Sequence, residues 1–249
     1  MKRKAQEMNR EFLEALEIQT KKTTGIAVVG GGGKTSLLFR LTEEFLSMDK
    51  RVIVTTTTHM AYEPERPFAR DGEELLVKKH LMEQGYTMAA AWDGCSEKVS
   101  GLSEEKLEAL FPMCDVLLIE ADGAKRLPVK VPRSWEPVIP ECSGLVIAVV
   151  GLDCLGKAIV ETAHRPTDVA AFLEKKPEDM FMPEDVLSLV TSERGLKKGV
   201  DHREYVIYLN KAELAPKEAV SMTAELHRRG YRAAFGSLKE GWAEKGEGR

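Results

Sequence analysis

Residues 24–36 run Thr-Gly-Ile-Ala-Val-Val-Gly-Gly-Gly-Gly-Lys-Thr-Ser. An apolar stretch is followed by four glycines, and a Lys-Thr pair then opens a segment with Leu37, Leu38, Leu41 and Phe45 at helical spacing. Those residue types in that order suit a cradle for phosphate. Glycines let successive backbone N–H groups turn toward a polyphosphate without Cβ clashes. A helix start adds the positive end of its dipole. The expected ligand is a nucleoside triphosphate, ATP or GTP, with Gly30, Gly31, Gly32, Gly33 and Ser36 around the phosphates. Lys34 reaches the β- and γ-phosphates, and the Thr35 hydroxyl ligates Mg²⁺. The longer pattern G-x-x-x-x-G-K-[ST] is not met, because Val28 stands where its first glycine belongs; the shorter G-x-x-G-K-T, Gly30 to Thr35, is.

A second constellation begins at Asp115-Val-Leu-Leu-Ile-Glu120, a continuous apolar run of the kind found in a strand buried on both faces. It ends on two carboxylates, Glu120 and Asp122, with Gly123 leaving room for close approach. A carboxylate at such a strand end sits near Mg²⁺ and the attacking nucleophile. Which of the two holds the metal and which acts as base stays open at this level. Lys125, Arg126 and Lys130 follow in a proline-stiffened loop. They either bind an anionic second substrate and its transition-state charge or form a solvated cluster.

Three further segments leave apolar runs. Thr55 to Thr58 precede His59, so Thr57 and His59 are candidates for substrate or metal, or a β-branched strand end. Asp153 and Cys154 lie in Gly151-Leu-Asp-Cys-Leu-Gly156, where Cys154 is either a reactive thiol or a packing residue. His164 and Arg165 precede Pro166-Thr167-Asp168 and either contact substrate or start a helix. Finally, Asn210-Lys211-Ala212-Glu213 is similar to the Asn-Lys-x-Asp with which GTPases read guanine. Glu213 in place of Asp leaves base preference open.

These residues must be positioned by alternating elements. Strands are expected over 26–29, 51–57, 86–91, 115–120, 145–150, 205–209 and 231–235, and helices over 33–48, 73–83, 104–111, 167–175 and 217–228. Such alternation predicts right-handed βαβ crossovers. The expected fold is a three-layer, P-loop NTPase-like α/β domain over 23–236, a mostly parallel sheet flanked by helices. An amphipathic helix (Met8, Phe12, Leu13, Leu16) precedes it within 1–22, and 237–249 reads as a flexible tail.

Composition narrows the class. The 249 residues are 43% hydrophobic, enough for a substantial core. Thirty-six basic against 40 acidic residues give a net charge of −4, which argues against a nucleic-acid-binding surface. Four cysteines without a C-x-x-C pair read as reduced thiols. No apolar run has membrane-spanning length, and Met1-Lys-Arg-Lys4 is not followed by an apolar signal core. The expectation is a soluble cytoplasmic protein.

The combination Val-Val-Gly-Gly-Gly-Gly-Lys-Thr-Ser, Thr-Thr-Thr-Thr-His-Met, Glu-Ala-Asp-Gly-Ala-Lys-Arg-Leu-Pro-Val-Lys-Val-Pro, Gly-Leu-Asp-Cys-Leu-Gly, His-Arg-Pro and Leu-Asn-Lys-Ala-Glu resembles the YqeC-type family over about 23–235. The Glu-Ala-Asp-Gly segment with its basic continuation is the most specific part. The short glycine loop resembles that of the Mur-ligase branch of P-loop proteins. The family resemblance implies an accessory role in maturation of a selenium-dependent molybdenum hydroxylase, with that enzyme or its cofactor carrier as partner. Three kinds of activity are compatible: an Mg²⁺-dependent NTPase, a nucleotide-switched chaperone, and a ligase or kinase acting on a small anion.

Overall fold

The computed structural model describes residues 11–19, 24–92, 94–95 and 97–246. Met8, part of the expected leading helix, lies outside the described residues; within them α1 spans Glu11–Ala15. In chain order there follow β1 (Thr24–Gly30), α2 (Lys34–Leu46), β2 (Val52–Thr56), β3 (His59–Ala61), β4 (Phe68–Arg70) and α3 (Glu74–Gln84). Next come β5 (Tyr86–Ala90), β6 (Lys98–Ser100), α4 (Glu104–Leu110), β7 (Val116–Glu120), β8 (Val129–Lys130) and β9 (Ser143–Gly151). The rest is α5 (Ile159–Thr162), β10 (Ala163–His164), α6 (Pro166–Leu173), α7 (Pro183–Thr191), β11 (Glu204–Asn210), α8 (Pro216–Arg228), β12 (Arg232–Ser237) and β13 (Trp242–Glu244).

Nine of these strands form one sheet in the order β13-β12-β11-β9-β1-β7-β2-β5-β4. All neighbours pair in parallel except β12 with β13. The central strands are apolar through their middles because both faces are covered. Alternate residues divide the core between the faces. Ile26 and Val28 of β1 join Phe12 of α1 and Leu37, Leu41 and Phe45 of α2. Ala27 and Val29 face the other way, toward Val169 of α6, Val186 and Leu189 of α7, and Leu226 of α8. On that second face α3 and α4 cover the β2–β7 side through Val77, Leu81 and Leu110. The fold is therefore the three-layer α/β arrangement expected from the alternation.

The chain leaves β1 toward β2 on one side and later fills β9, β11 and β12 on the other. A crevice opens at the carboxyl ends of strands where the winding direction reverses in this way. Parallel register carries the carboxyl ends of β7 and β9 to the mouth of β1, with Val28 opposite Glu120 and Gly30 opposite Val149.

The elements β3, β4, β6, α5 and α7 are not among those expected from the sequence, and two further details depart from it. The segment 237–246, read as a frayed tail, carries β13, which pairs with β12 at the sheet edge and sets Trp242 against Phe235. Polar composition hid it because an edge strand needs few apolar residues. The proline-rich stretch after β7 is not wholly irregular either. Its β8 pairs in parallel with β10, joining Val129 to Ala163 and Lys130 to His164.

Candidate functional site

The glycine loop leaves β1 and enters α2 in a tight turn, with Gly33 at φ 140°. Its first three amides are already committed. Gly30 N–H donates to Asp122 Oδ2 at 3.0 Å. Gly31 N–H donates to the Val149 carbonyl and Gly32 N–H to the Leu127 carbonyl, each at 2.9 Å. Thus the expectation that Gly30 to Gly33 all turn their amides to phosphate needs correction for the first three. Close approach explains much of the glycine run. A Cβ on Gly31 would lie 2.6 Å from the Leu127 carbonyl oxygen, and one on Gly33 would lie 2.4 Å from Asn210 Nδ2. The open donors are one step later. No side chain caps α2, and its first helical bond runs from Leu37 N–H to Gly33 O. The amides of Lys34, Thr35 and Ser36 therefore have no intrahelical acceptor and mark the anion-attracting end of α2.

Lys34 is buried at the mouth of this turn, only 5% exposed. Its ammonium donates to Gly30 O at 2.7 Å and stands 3.2 Å from Asp122 Oδ1. Beside it, the Thr35 hydroxyl donates to Glu120 Oε2 at 2.6 Å. Burial pushes the Glu120 carboxyl above the ordinary carboxylate range, the Asp122 charge adds to this, and Lys34 and Thr35 oppose it. The two strand-end carboxylates consequently face different partners. Glu120 shares a hydroxyl with the helix start, and Asp122 fastens the loop to its lysine.

Asp122 also touches Lys130. The sequence leaves Lys130 either on an anionic ligand or in a solvated cluster; the structure corrects both, because the side chain is fully buried. Its ammonium donates to Gly123 O at 2.9 Å and lies 3.3 Å from Asp122 Oδ2 and 3.1 Å from Glu136 Oε2. Glu136 in turn receives two bonds from Arg165, at 2.8 and 3.2 Å. Burial alone would raise the Glu136 carboxyl, but Arg165, the Arg133 amide and Lys130 hold it down to about 2. Glu136 was missed in the sequence. The available signal is that Glu136 is the first acid downstream of the cations Lys125, Arg126, Lys130 and Arg133.

Arg165 adopts a left-handed φ of 62°, as do Lys125 (48°) and Arg126 (63°). Non-glycine residues held there are strained and gather at functional sites. Lys125 and Arg126 are exposed beside the mouth. His164 is buried, and its pKa is lowered by burial and by Arg165, Lys130 and Lys125.

On the other side of β1, Asn210 ends β11. Its amide Nδ2 donates to Gly32 O at 2.7 Å, and its Oδ1 accepts the Leu238 N–H at 3.1 Å. Lys211 (φ 62°) sends its ammonium to Asp153 Oδ2 at 2.7 Å. Glu213 keeps one carboxylate oxygen, Oε2, buried without a hydrogen-bond partner. Cys154 does not join this mouth. Its thiol lies in the apolar core at 0% exposure, and burial pushes it up to about 12. The reactive-thiol alternative is therefore corrected to packing, since a thiolate is disfavoured in an apolar surround. The Thr57 hydroxyl is spent on the Val138 carbonyl. His59 sits exposed in β3, paired with Ser100 of β6 rather than with the phosphate loop.

Residues 26–167 match the model of the YqeC protein family. The chain is 39% identical over 186 residues to the uncharacterized protein YqeC of Escherichia coli (strain K12), covering 72% of each. This chain belongs to the YqeC family. Among solved structures it is similar to the hydrogenase maturation factor HypB from Archaeoglobus fulgidus, with a TM-score of 0.40 at 15% identity over 92% of this chain and 87% of that one. The family match spans the glycine loop, both strand-end carboxylates and the basic loop through Arg165; Asn210 and Glu213 lie beyond it.

Proposed function

We propose that the chain binds a nucleoside triphosphate with Mg²⁺ and hydrolyses it, as an accessory protein in the maturation of a selenium-dependent molybdenum hydroxylase. The observation that carries the nucleotide reading is the start of α2. A buried lysine ammonium stands at a helix N-terminus with three open amides, and a hydroxyl–carboxylate pair stands beside it. Buried positive charge of that kind is matched by phosphate oxygens. The maturation role rests on membership of the YqeC family alone.

The residues present fit Mg²⁺. Thr35 and Glu120 supply hard oxygen donors, and Mg²⁺ is commonly held by one or two carboxylates and substrate phosphates. Among the described residues no group of three or more His, Cys, Asp or Glu is placed to hold a metal, so a dedicated protein cage is not the alternative. When bound, the ion neutralises charge on the phosphates. In this reading Lys34 exchanges Gly30 O and Asp122 for phosphate oxygens. Asp122 keeps Lys130 and Gly30 N–H, so it positions the loop and is not the free base. Gly123 supports the same reading, because a Cβ there would meet nothing within 4 Å and its φ is not left-handed. In this reading the open space beside Gly123 is left to the terminal phosphate. Lys125 and Arg126, exposed and strained, are the groups that face transferred charge or an anionic second substrate.

Phosphate release from ATP and from GTP with Mg²⁺ tests the reading. Turnover by the wild type, lost in Lys34→Ala, is the expected result; unchanged turnover in that variant refutes it. A nucleotide-switched chaperone differs by responding to its protein partner, while a ligase or kinase responds to a small anion.

A further inference from the structure

Lys130 is fully buried, and phosphate binding does not use its charge. We infer that Lys130 is a positioning residue for Lys34: by balancing the Asp122 carboxylate, it leaves the Lys34 ammonium free to pass to phosphate. This rests on the nucleotide reading above and concerns how that site is kept ready.

Four groups alternate in sign from the phosphate loop outward. The Lys130 ammonium lies 3.3 Å from Asp122 Oδ2 and 3.1 Å from Glu136 Oε2. Glu136 Oε2 in turn accepts from Arg165 at 2.8 Å. Glu136 is ionised, since its neighbours hold the carboxyl down to about 2. His164, beside Lys130 in the β8–β10 pair, adds no cation near neutrality, because burial and then Arg165, Lys130 and Lys125 lower its pKa. Two acids and two bases therefore cancel along this row. Lys34 is the surplus cation at its inner end, while Glu120 is engaged separately by the Thr35 hydroxyl.

The contacts of Asp122 are unequal in the same sense. Its Oδ2 accepts the Gly30 N–H at 3.0 Å and faces Lys130. Its Oδ1 is buried without a hydrogen bond; Lys34 stands 3.2 Å from it as an ion pair without hydrogen-bond alignment. The bond that Lys34 does make goes to a neutral acceptor, Gly30 O, at 2.7 Å. Lys34 can thus move to phosphate oxygens and leave Asp122 paired with Lys130, which the Gly123 carbonyl also holds at 2.9 Å. Without Lys130, departure of Lys34 would strand a buried carboxylate, which is costly. Asp122 would then retain Lys34, and phosphate would have to compete for it.

The test is a set of variants read by titration calorimetry with Mg²⁺ and whichever of ATP and GTP the wild type binds more tightly. Lys130→Met keeps an unbranched side chain and removes the charge; it should weaken nucleotide binding at least ~10-fold. Asp122→Asn keeps an acceptor for the Gly30 N–H and removes the charge that retains Lys34. Added to Lys130→Met, it should recover most of that loss. Glu136→Gln added to Lys130→Met restores the same net charge but leaves Asp122 without Lys130, so it should recover none. Unchanged affinity in Lys130→Met, or equal recovery by the two second substitutions, overturns the inference. Should Lys130→Met not fold, Asp122→Asn alone decides: tighter binding than wild type is expected because Lys34 is released, and equal or weaker binding overturns the inference. In each case the nucleotide reading stands as long as the wild type binds and Lys34→Ala does not. Binding of neither triphosphate by the wild type overturns both.

Discussion

At the scale of the residue, the two carboxylates after β7 have separable duties. Glu120 shares the Thr35 hydroxyl, and burial raises its pKa. An acid whose folded pKa is raised costs stability when it ionises. Its stabilising balance is intact below the ordinary carboxylate range and is lost as pH rises through the folded value. Glu120→Gln should therefore melt higher than wild type near neutrality, and the gap should close as pH falls into the carboxylate range. The same variant should lose turnover by about 100-fold while keeping most nucleotide affinity. A melting series across pH together with phosphate release checks both halves. Cys154 makes a contrasting case. Cys154→Ser buries a hydroxyl in the apolar core and should cost about 1–3 kcal/mol, read by urea unfolding. In the native protein Cys154 should resist thiol reagents that modify exposed Cys95. Residue types and spacing were sufficient to place Lys34, Thr35 and Glu120 together. They were insufficient for Lys130 and Cys154, because a loop residue one position on can face the core or the crevice, and no periodicity distinguishes the two.

At the scale of the element, the segment from β7 to β10 works as a strap across the phosphate loop. Leu127 O takes the Gly32 amide, and Gly31 has no room for a Cβ against it. Gly31→Ala must displace Leu127 or the loop, so nucleotide affinity should fall by at least ~10-fold with little change in far-ultraviolet circular dichroism. The strap is pinned by Lys130, Glu136 and Arg165. Glu136→Gln would leave the fully buried Lys130 with Asp122 as its remaining carboxylate beside the Gly123 carbonyl, and breaking a buried pair costs about 3–5 kcal/mol. The Glu136 carboxyl is depressed, so its stabilisation is present above the ordinary carboxylate range and is lost as pH falls toward about 2. The difference in urea midpoint between wild type and Glu136→Gln should accordingly shrink on acidification. Long elements of the fold could be read from hydrophobic periodicity: β7, β9, β11, α2 and α8 lie within two residues of expectation. The two-residue strands β8 and β10 could not, since a pair that short leaves no pattern.

At the scale of the whole molecule, a nine-stranded sheet wound in two directions sets the carboxylates after β7 on one side of β1 and Asn210 at the end of β11 on the other. In the proposed reading a nucleotide bound at that junction would tie both halves of the sheet together. A bound nucleotide at 100 times its Kd should add about 2.7 kcal/mol to unfolding, seen as a rise in Tm that depends on nucleotide concentration. Among the described residues no helix is long and apolar enough to cross a membrane. The buried ammonium of Lys34 at the open end of α2 is the feature on which the nucleotide reading depends most. Titration calorimetry of wild type and Lys34→Ala with Mg²⁺ and each triphosphate addresses it directly. Saturable one-to-one binding by the wild type, weakened at least ~100-fold by the substitution, is the expected outcome. Equal binding by Lys34→Ala, or no binding of any triphosphate by the wild type, would contradict it.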